Sequence, residues 1–308
     1  MNVDAPAKHI ALIGVPSSAG ARRLGQELAP DCLRRAGLIE RLRFAGHEVT
    51  DYGDVEKSSY RPDPDNPTRQ NLQLVVQVLT QVAALVEAAI KSGARILVLG
   101  GDCTVTIGVL AGLAKCWPEV GLLYVDGDVD LNTPETTPSG IFDGMVIAHM
   151  LGLGAESLSH VGPRFPLLDQ SKIALFGYNA KAGSIDPVEA DLLQTLKVAK
   201  YPLEQVQPNV RFAATQALAG LEAAAAQILI HCDVDVIDFD DFPAADVPHR
   251  PGLRLSEARD ALSVFLASSK VVGLVLTEFN GHRDQDSLLA TRLVDTVVSA
   301  LPPARRSA

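Results

Sequence analysis

The chain has 308 residues, of which 47% are hydrophobic and 21% are charged, and its formal net charge at pH 7 is -10. This acidic balance argues against general nucleic-acid binding, because proteins that bind nucleic acids present a basic face. It is compatible with a small cationic substrate, which an acidic pocket attracts. The length allows one large α/β domain, and we expect residues 1–308 to form a single domain.

The cysteines and the apolar runs bear on the cellular compartment of the protein. There are four cysteines, Cys32, Cys103, Cys116 and Cys232, and none of them forms a Cys-x-x-Cys pair. This spacing does not indicate a disulfide framework and is compatible with a reducing compartment. The N-terminus has no basic stretch before an apolar one, and no run approaches the roughly 18 apolar residues of a membrane span. We therefore expect a cytoplasmic protein without a membrane partner.

Short apolar runs alternate with longer amphipathic ones along the chain. The runs that predict strands begin at His9, His47, Arg95, Gly121, Ile173, Ile228 and Val271. The stretches that predict helices begin at Cys32, Leu72, Thr215, Leu255 and Ser287, and the first of these is closed by Gly46. Strands this apolar are covered on both faces, which is typical of a parallel sheet between two layers of helices. The predicted fold class is α/β, a doubly wound parallel sheet with helices on both faces.

Polar side chains directly follow four of the predicted strands. They are Asp102 and Cys103 after the third strand, Asp126, Asp128 and Asp130 after the fourth, Asp233 and Asp235 after the sixth, and Glu278 after the last. Ligands of doubly wound sheets bind beyond the carboxyl ends of the strands, so these residues form the candidate site. Taken one at a time, the aspartates also suit helix caps and turns.

The aspartates after the fourth and sixth strands are spaced two residues apart. Side chains alternate along an extended chain, so residues with this spacing share a face and their carboxylates can converge. Clustered carboxylates repel and raise each other's pKa unless positive charge lies among them. Two acidic clusters on separate strands therefore suit a pair of divalent cations bridged by shared carboxylates.

Several segments resemble the ureohydrolase superfamily of arginases and agmatinases. They are "GGDC" from Gly100, "DGDVDLNTPETTPSG" from Asp126, "DVDVID" from Asp233 and "TEFN" from Thr277. At these places the family has Gly-Gly-Asp-His, Asp-Ala-His-x-Asp-x-Asn-Thr-Pro, Asp-x-Asp and a late glutamate. Within the superfamily, the motifs look most like the branch that hydrolyses N-hydroxy-arginine in antibiotic biosynthesis.

The resemblance implies an arginase-like sheet of about eight strands and a metal-dependent hydrolase. The reaction would be hydrolysis of the guanidino group of N-hydroxy-L-arginine or L-arginine, giving ornithine and hydroxyurea or urea. The implied cofactor is two Mn²⁺ ions, and the implied assembly is a homo-oligomer, either a trimer or a hexamer. The implied partner is a small cationic guanidino substrate.

The family's functional residues carry over onto matching positions of this chain. The metal ligands would be Cys103, Asp126, Asp128, Asp130, Asp233 and Asp235. Asp126 and Asp233 would bridge the two metals, and Asp130 would also orient the hydroxide between them. Glu278 would pair with the guanidinium, because a carboxylate matches its planar fork.

The resemblance also implies residues for substrate binding and proton transfer. Asn132 and Ser139 stand where the family contacts the amino-acid carboxylate, and Asp186 is a weaker candidate for the α-amino group. Asp143 stands where arginases have a histidine proton shuttle. An aspartate can do this acid–base work only if burial raises its pKa, and otherwise we expect Asp143 to be a loop residue without a shuttle role.

Cys103 and Asp128 replace the two histidine ligands of the family. Five aspartates and a thiolate would leave roughly two surplus negative charges against two divalent ions. This surplus motivates a second hypothesis, a non-catalytic or metal-poor homologue that binds a guanidino ligand or a partner. His231 shares a face with Asp233, but we expect a hydrogen-bonded core histidine, and we expect His249 to be structural or solvated.

Overall fold

The computed structural model describes residues 9–181 and 184–303. Its strands are β1 (His9–Gly14), β2 (Glu48–Asp54), β3 (Arg95–Leu99), β4 (Val120–Val125), β5 (Ile173–Phe176), β6 (Ala199–Tyr201), β7 (Gln227–Asp233) and β8 (Val271–Thr277). They form one eight-stranded sheet in the order β2-β1-β3-β8-β7-β4-β5-β6. All neighbouring strands pair in parallel. The predicted α/β fold class, a doubly wound parallel sheet, is confirmed.

Helices cover both faces of this sheet. They are α1 (Ala29–Arg35), α2 (Leu38–Phe44), α3 (Leu72–Ile90), α4 (Val105–Cys116), α5 (Val146–Met150), α6 (Glu156–Ser159), α7 (Pro187–Thr195), α8 (Leu203–Val206), α9 (Val210–Ala224), α10 (Leu255–Leu266) and α11 (Leu288–Ala300). One hydrophobic core joins the sheet to α1, α2, α9, α10 and α11, and the other joins it to α3, α4 and α5. Alternate residues of β1, such as Ile10 and Ala11, belong to opposite cores, as the strand pleat requires.

Two local predictions are corrected by the structure. The stretch from Cys32 to Gly46 is not one helix, because α1 ends at Arg35 and α2 begins at Leu38. Gly37 between them has φ of +83°, a left-handed conformation that interrupts a helix and that glycine adopts at little cost. The short edge strand β6 was not predicted, since its three residues carry too little of the apolar alternation that marks a strand.

Helix α3 corrects the expectation that no apolar run is long enough to span a membrane. It has 19 residues and passes a test of length and composition for a spanning helix, a test that core helices of soluble proteins also pass. Val75, Leu79, Val82 and Val86 lie on one stripe of the helix and are buried in the core. Leu79, Val82 and Val86 lie close to Gly108 and Gly112 of α4, so α3 packs mainly against α4 as a core helix.

The strand order brings together the four strands that precede the polar motifs. β3, β8, β7 and β4 are consecutive neighbours in the middle of the sheet. Because all four run in the same direction, their carboxyl ends meet at one edge. Cys103, Asp126, Asp233 and Glu278 follow those ends and are at most 3% exposed. The fold thus concentrates buried acid and one thiol at the edge where the sequence predicted a site.

Candidate metal centre

One group of candidate metal ligands is here called the thiol set and consists of Cys103, Asp126, His231 and Asp233. The ligand atoms of these four side chains all lie within 4.8 Å of one another. Cys103 Sγ donates to Asp233 Oδ2 at 2.8 Å and lies 3.7 Å from His231 Nε2. His231 Nε2 lies 3.4 Å from Asp126 Oδ2. The set offers sulfur, nitrogen and two carboxylates, which are all common ligands of divalent transition metals.

A close contact between the backbones of Gly101 and Ser17, just before α4, positions Cys103. A Cβ on Gly101 would lie 1.6 Å from Ser17 O, so only glycine fits there. The Cys103 amide then donates to Asp143 Oδ1 at 2.7 Å, which fixes the turn that carries the thiol. Burial raises the pKa of the Cys103 thiol well above its usual value, and the Asp233 charge adds to the shift. Without a cation, the thiol therefore keeps its proton.

His231 is fully buried and also faces the site, so the expectation of a core histidine describes only part of its role. Its Nδ1 lies 2.7 Å from Thr106 Oγ1, and its ring stacks on Tyr124 with centroids 4.0 Å apart. These contacts aim Nε2 at Cys103 and Asp126. Burial lowers the pKa of His231 to about 3, so the imidazole is neutral, which is the form that binds metals.

The second group, here called the outer set, consists of Asp128, Asp235 and His249. His249 Nε2 lies 3.4 Å from Asp128 Oδ2 and 3.7 Å from Asp235 Oδ2. Burial alone would lower the pKa of His249, but the two carboxylates outweigh it and raise the pKa to about 11. His249 is therefore not solvated, because its side chain is only 10% exposed, and it lies against two predicted ligands, Asp128 and Asp235.

Gly127 makes room for the His249 ring. A Cβ at this position would lie 2.4 Å from His249 Cδ2, which is closer than side chains approach. The Gly127 amide donates to Asp235 Oδ1 at 3.1 Å, so the same residue also holds one carboxylate of the outer set. Any larger residue at 127 would displace the imidazole from Asp128 and Asp235.

Glu278 lies beside the thiol set, in a third group with Cys103 and Asp143. Its φ is +66°, a strained value for a residue other than glycine, and its amide donates to Gly101 O at 2.8 Å. Gln26 Nε2 donates to Glu278 Oε2, whereas Oε1 has no hydrogen-bond partner among the residues that the structure describes. Burial and then the Asp143 charge raise the pKa of Glu278 well above its usual value.

The carboxylates of the two sets need positive charge. Burial and the neighbouring Asp128 raise the pKa of Asp126 to about 7, and burial and Asp126 raise that of Asp235 to about 6. Burial and then the Asp235 charge raise the pKa of the Asp233 carboxyl well above its usual value. Asp126 Oδ2 is buried and accepts no hydrogen bond within the described ranges. An orphaned carboxylate oxygen between a thiol and an imidazole fits a divalent cation.

Asp130 belongs to none of these groups among the described residues, although the resemblance makes it a metal ligand. The Tyr124 hydroxyl donates to its carboxylate, and its φ of +48° places it in the left-handed region. Its pKa is raised well above the usual value by burial and then by Asp126, so the two carboxylates are close enough to repel. Asp130 thus lies next to the thiol set, and the hydroxyl of Tyr124 holds its carboxylate in place.

Asp143 begins a short 3₁₀ turn (Asp143–Met145) and contacts the site directly. Its carboxylate accepts the bond from the Cys103 amide, and it groups with Glu278. Burial and then the Asp102 charge raise its pKa well above the usual value. The condition under which an aspartate can do acid–base work, a pKa raised by burial, is therefore met.

The residues predicted to bind the amino-acid part of a substrate lie on two loops. Asn132 Oδ1 accepts from the Thr136 hydroxyl at 3.0 Å, and the Ser139 hydroxyl lies 3.3 Å from Thr137 Oγ1. Asp186 is the N-cap of α7, where its Oδ1 accepts from the Val188 amide at 2.9 Å. None of these three residues belongs to the candidate metal groups of the described chain.

Glu189, on the first turn of α7, was not predicted as a site residue. Its Oε1 accepts from the Leu131 amide at 2.9 Å, directly beside Asp130 in the chain. Burial raises its pKa to about 7, with smaller contributions from Asp128 and Asp186. Its position three residues after Asp186, on the same helix face, is the signal that could have identified it. For His249 no such local signal exists.

Comparison with known proteins assigns the chain to a family. The Arginase family model matches residues 8–300. The arginase of Bacillus caldovelox is 29% identical over 92% of this chain and 95% of its own length. Human arginase-1 is 30% identical over 96% of this chain and 92% of its own length. The native structure of the B. caldovelox arginase superposes with a TM-score of 0.87 at 28% identity, covering 94% of this chain and 97% of that one.

These relatives bear out the resemblance at the level of the superfamily. They are named arginases, and nothing in the names points to the N-hydroxy-arginine branch in particular. The match extends over the strand ends that carry Cys103, Asp126, Asp233 and Glu278. The chain therefore belongs to the arginase family and is a ureohydrolase.

Proposed function

We propose that the chain hydrolyses the guanidino group of L-arginine to ornithine and urea. The observation that carries this proposal is Glu278 Oε1, a buried carboxylate oxygen that accepts no hydrogen bond among the described residues and lies beside the candidate metal ligands. A guanidinium is a planar cation with paired N–H donors, which a carboxylate matches. The family membership and the arginase names of the relatives support arginine over other guanidino compounds.

Two divalent cations fit the site, and manganese suits its carboxylates. The thiol set would hold one cation and the outer set the other. Bound there, the cations supply an activated water for attack on the guanidino carbon. With a cation in the outer set, the His249 imidazole would be neutral and would add a nitrogen donor beside Asp128, whose carboxylate lies 3.4 Å from it.

The remaining residues bind the substrate and handle protons. Glu278 would hold the guanidinium with the oxygen that Gln26 leaves free. Asp143 would donate a proton to the departing amine, because burial raises the pKa of its carboxyl and so favours the protonated form that a general acid needs. Asp130, anchored by the Tyr124 hydroxyl, would orient the attacking water.

Asn132, Ser139 and Asp186 would recognise the amino-acid end of the substrate. The Asn132 amide and the Ser139 hydroxyl can donate to a carboxylate, and Thr136 and Thr137 hold these side chains in place. Asp186 uses Oδ1 to cap α7, which leaves Oδ2 for an ammonium group. These contacts would favour an amino acid over agmatine, which lacks the carboxylate.

The assembly and the location of the protein are proposed on separate grounds. A homo-oligomer, either a trimer or a hexamer, is proposed from the family resemblance alone. A cytoplasmic location is proposed because Cys32, Cys103, Cys116 and Cys232 are all free thiols.

The test is a metal-supplemented screen of arginine, N-hydroxy-arginine, agmatine and guanidinobutyrate for release of urea or hydroxyurea. Release of urea from arginine, and its loss in Glu278→Gln, would support the proposal. Asp51→Asn is the matched control, since Asp51 pairs with Arg34 away from the site. Faster turnover of N-hydroxy-arginine would place the chain in the other branch. A protein that binds metal but turns over none of the four would be the non-catalytic homologue.

A further inference from the structure

Two histidines from outside the matching motifs complete the two groups of ligands. His231 lies on β7 and His249 lies in the loop between β7 and α10. Each brings one ring nitrogen within 3.4 Å of a carboxylate in its group, Asp126 for His231 and Asp128 for His249. The motifs themselves have Cys103 and Asp128 where the family has histidines, so these two rings restore one imidazole to each half of the centre.

We propose that His231 and His249 are metal ligands and that the two halves hold different ions. The thiol set takes a borderline-soft divalent ion of the zinc or cobalt type, and the outer set takes a harder, exchangeable ion such as manganese. This inference rests on the proposed function only for the presence of two cations. It departs from the expectation of two equivalent manganese ions.

The donor atoms of the thiol set favour a softer ion. Sulfur, one imidazole nitrogen and two carboxylates match the four-coordinate sites in which zinc is found. Manganese prefers oxygen ligands, so a thiolate in its first coordination sphere selects against it. All members of the set are buried, with Cys103, Asp126 and Asp233 each 2% exposed and His231 0%. An ion held there would exchange slowly with solvent.

His231 is oriented as metal-binding histidines are. The other ring nitrogen of such a histidine is fixed by a polar partner, which sets the tautomer and the ring direction. Here Thr106 Oγ1 lies 2.7 Å from Nδ1, and Tyr124 stacks flat against the ring. Asp126 Oδ2, which accepts no hydrogen bond among the described residues, faces the free Nε2. An ion between these atoms would satisfy both of them.

The outer set has harder ligand atoms than the thiol set and is more accessible to solvent. Asp128 and Asp235 supply oxygen, His249 supplies the one nitrogen, and there is no sulfur in this group. The Asp128 side chain is 38% exposed, so water can complete the coordination and the ion can exchange. His249 Nε2 is buried without a hydrogen-bond partner in the described part of the chain. Gly127 is what allows the ring to approach, because a Cβ there would meet His249 Cδ2 at 2.4 Å.

The test uses stepwise addition of Co²⁺ to the metal-free full-length protein, followed by absorption spectroscopy and calorimetry. The first equivalent should produce a thiolate-to-cobalt charge-transfer band in the near ultraviolet. Cys103→Ser should lack this band, and Cys232→Ser is the matched control that should keep it. A parent protein without the band, or a Cys103→Ser variant that keeps it, would overturn the assignment of the thiol set.

The histidines are tested one at a time. His231→Gln should weaken binding of the first equivalent by more than the 10–100-fold that loss of an orienting partner typically costs. Thr106→Val keeps the ring but removes its orienting partner, and should weaken the first equivalent by roughly 10-fold. If His231→Gln does not fold, Thr106→Val still decides the point. Unchanged affinity in the variant that folds would overturn the role of His231.

His249 is tested by two variants that leave the thiol set intact. His249→Gln and Gly127→Ala should each leave the first equivalent and its band unchanged, and should weaken the second equivalent by roughly 10-fold or more. A loss confined to the first equivalent, or no loss, would overturn the role of His249. Urea release without the thiolate band would refute this inference alone, and the band without hydrolysis of any guanidino compound would refute the proposed function alone.

Discussion

The buried carboxyl of Asp126 should make the metal-free protein lose stability as pH rises. Burial and then Asp128 raise its pKa from an ordinary value of 3.8 to about 7. Between these two values the folded chain retains a proton that the unfolded chain has released. The stability associated with this proton is fully present below about pH 4 and is lost as pH rises through about 7. Asp126→Asn, which stays neutral at every pH, should remove this loss.

The size of the effect follows from the linkage between protons and folding. One fully retained proton changes the free energy of unfolding by about 1.4 kcal/mol for each pH unit, and half of it is released at pH 7, so the advantage of Asp126→Asn should grow by about 2 kcal/mol between pH 5 and pH 7. With an unfolding entropy of about 2 cal/mol/K per residue, this corresponds to roughly 3 °C in Tm for a chain of this length. The neighbouring Asp235 adds a change of the same sign, because its pKa is also raised.

The assay is a thermal melt of both metal-free proteins at pH 5, 6 and 7, repeated with saturating Mn²⁺. Asp51→Asn is the control, because the pKa of Asp51 is lowered by its Arg34 partner and it stays ionised over this range, so its effect should not vary with pH. With metal bound, the order should reverse, since the variant lacks a ligand. If the difference between Asp126→Asn and the parent is the same at pH 5 and pH 7, the argument that Asp126 holds a proton in the folded state is refuted.

Three further outcomes are expected. Glu278→Gln should lower urea release by at least about 100-fold while the number of bound Co²⁺ ions stays unchanged, and a small loss would mean that Glu278 does not bind the guanidinium. Asp128→His should bind metal more tightly at neutral pH, because an imidazole restores charge balance, and Asp128→Ala should bind metal more weakly. Calorimetric titration of metal into the parent and both variants in one buffer tests this, and equal affinity in Asp128→Ala would exclude Asp128 as a ligand. Gly101→Ala should destabilise the fold by about 1–3 kcal/mol or more, since its Cβ would lie 1.6 Å from Ser17 O, whereas Gly144→Ala, with open space around it, should melt close to the parent.

Local signals in the sequence were enough to predict the fold class and most of the candidate site. The sequence predicted seven of the eight strands of the sheet, and six of these are apolar runs, because a buried parallel strand must be apolar on both faces. The seventh, β2, lies at the edge of the sheet and is largely exposed. The two-residue spacing correctly drew attention to Asp126, Asp128, Asp233 and Asp235, but alternation along an extended chain does not place them. β4 ends at Val125 and β7 at Asp233, a 3₁₀ turn (Val234–Val236) follows, and each pair is divided between the two sets. The motif order then identified the family, and the match to residues 8–300 confirms it.

The tertiary structure alone decided which of these residues meet. β8 pairs between β3 and β7 although it is the last strand in the chain, and this places Glu278 beside Cys103. His249 lies in an irregular loop, where no periodicity predicts direction, and it reaches Asp128 only because Gly127 leaves space for its ring. His231 was visible on the face of Asp233, but its part in the site depends on Thr106 and Tyr124 from two other elements. Contacts between distant segments depend on how strands are ordered and loops are packed, and no local pattern of residues records that.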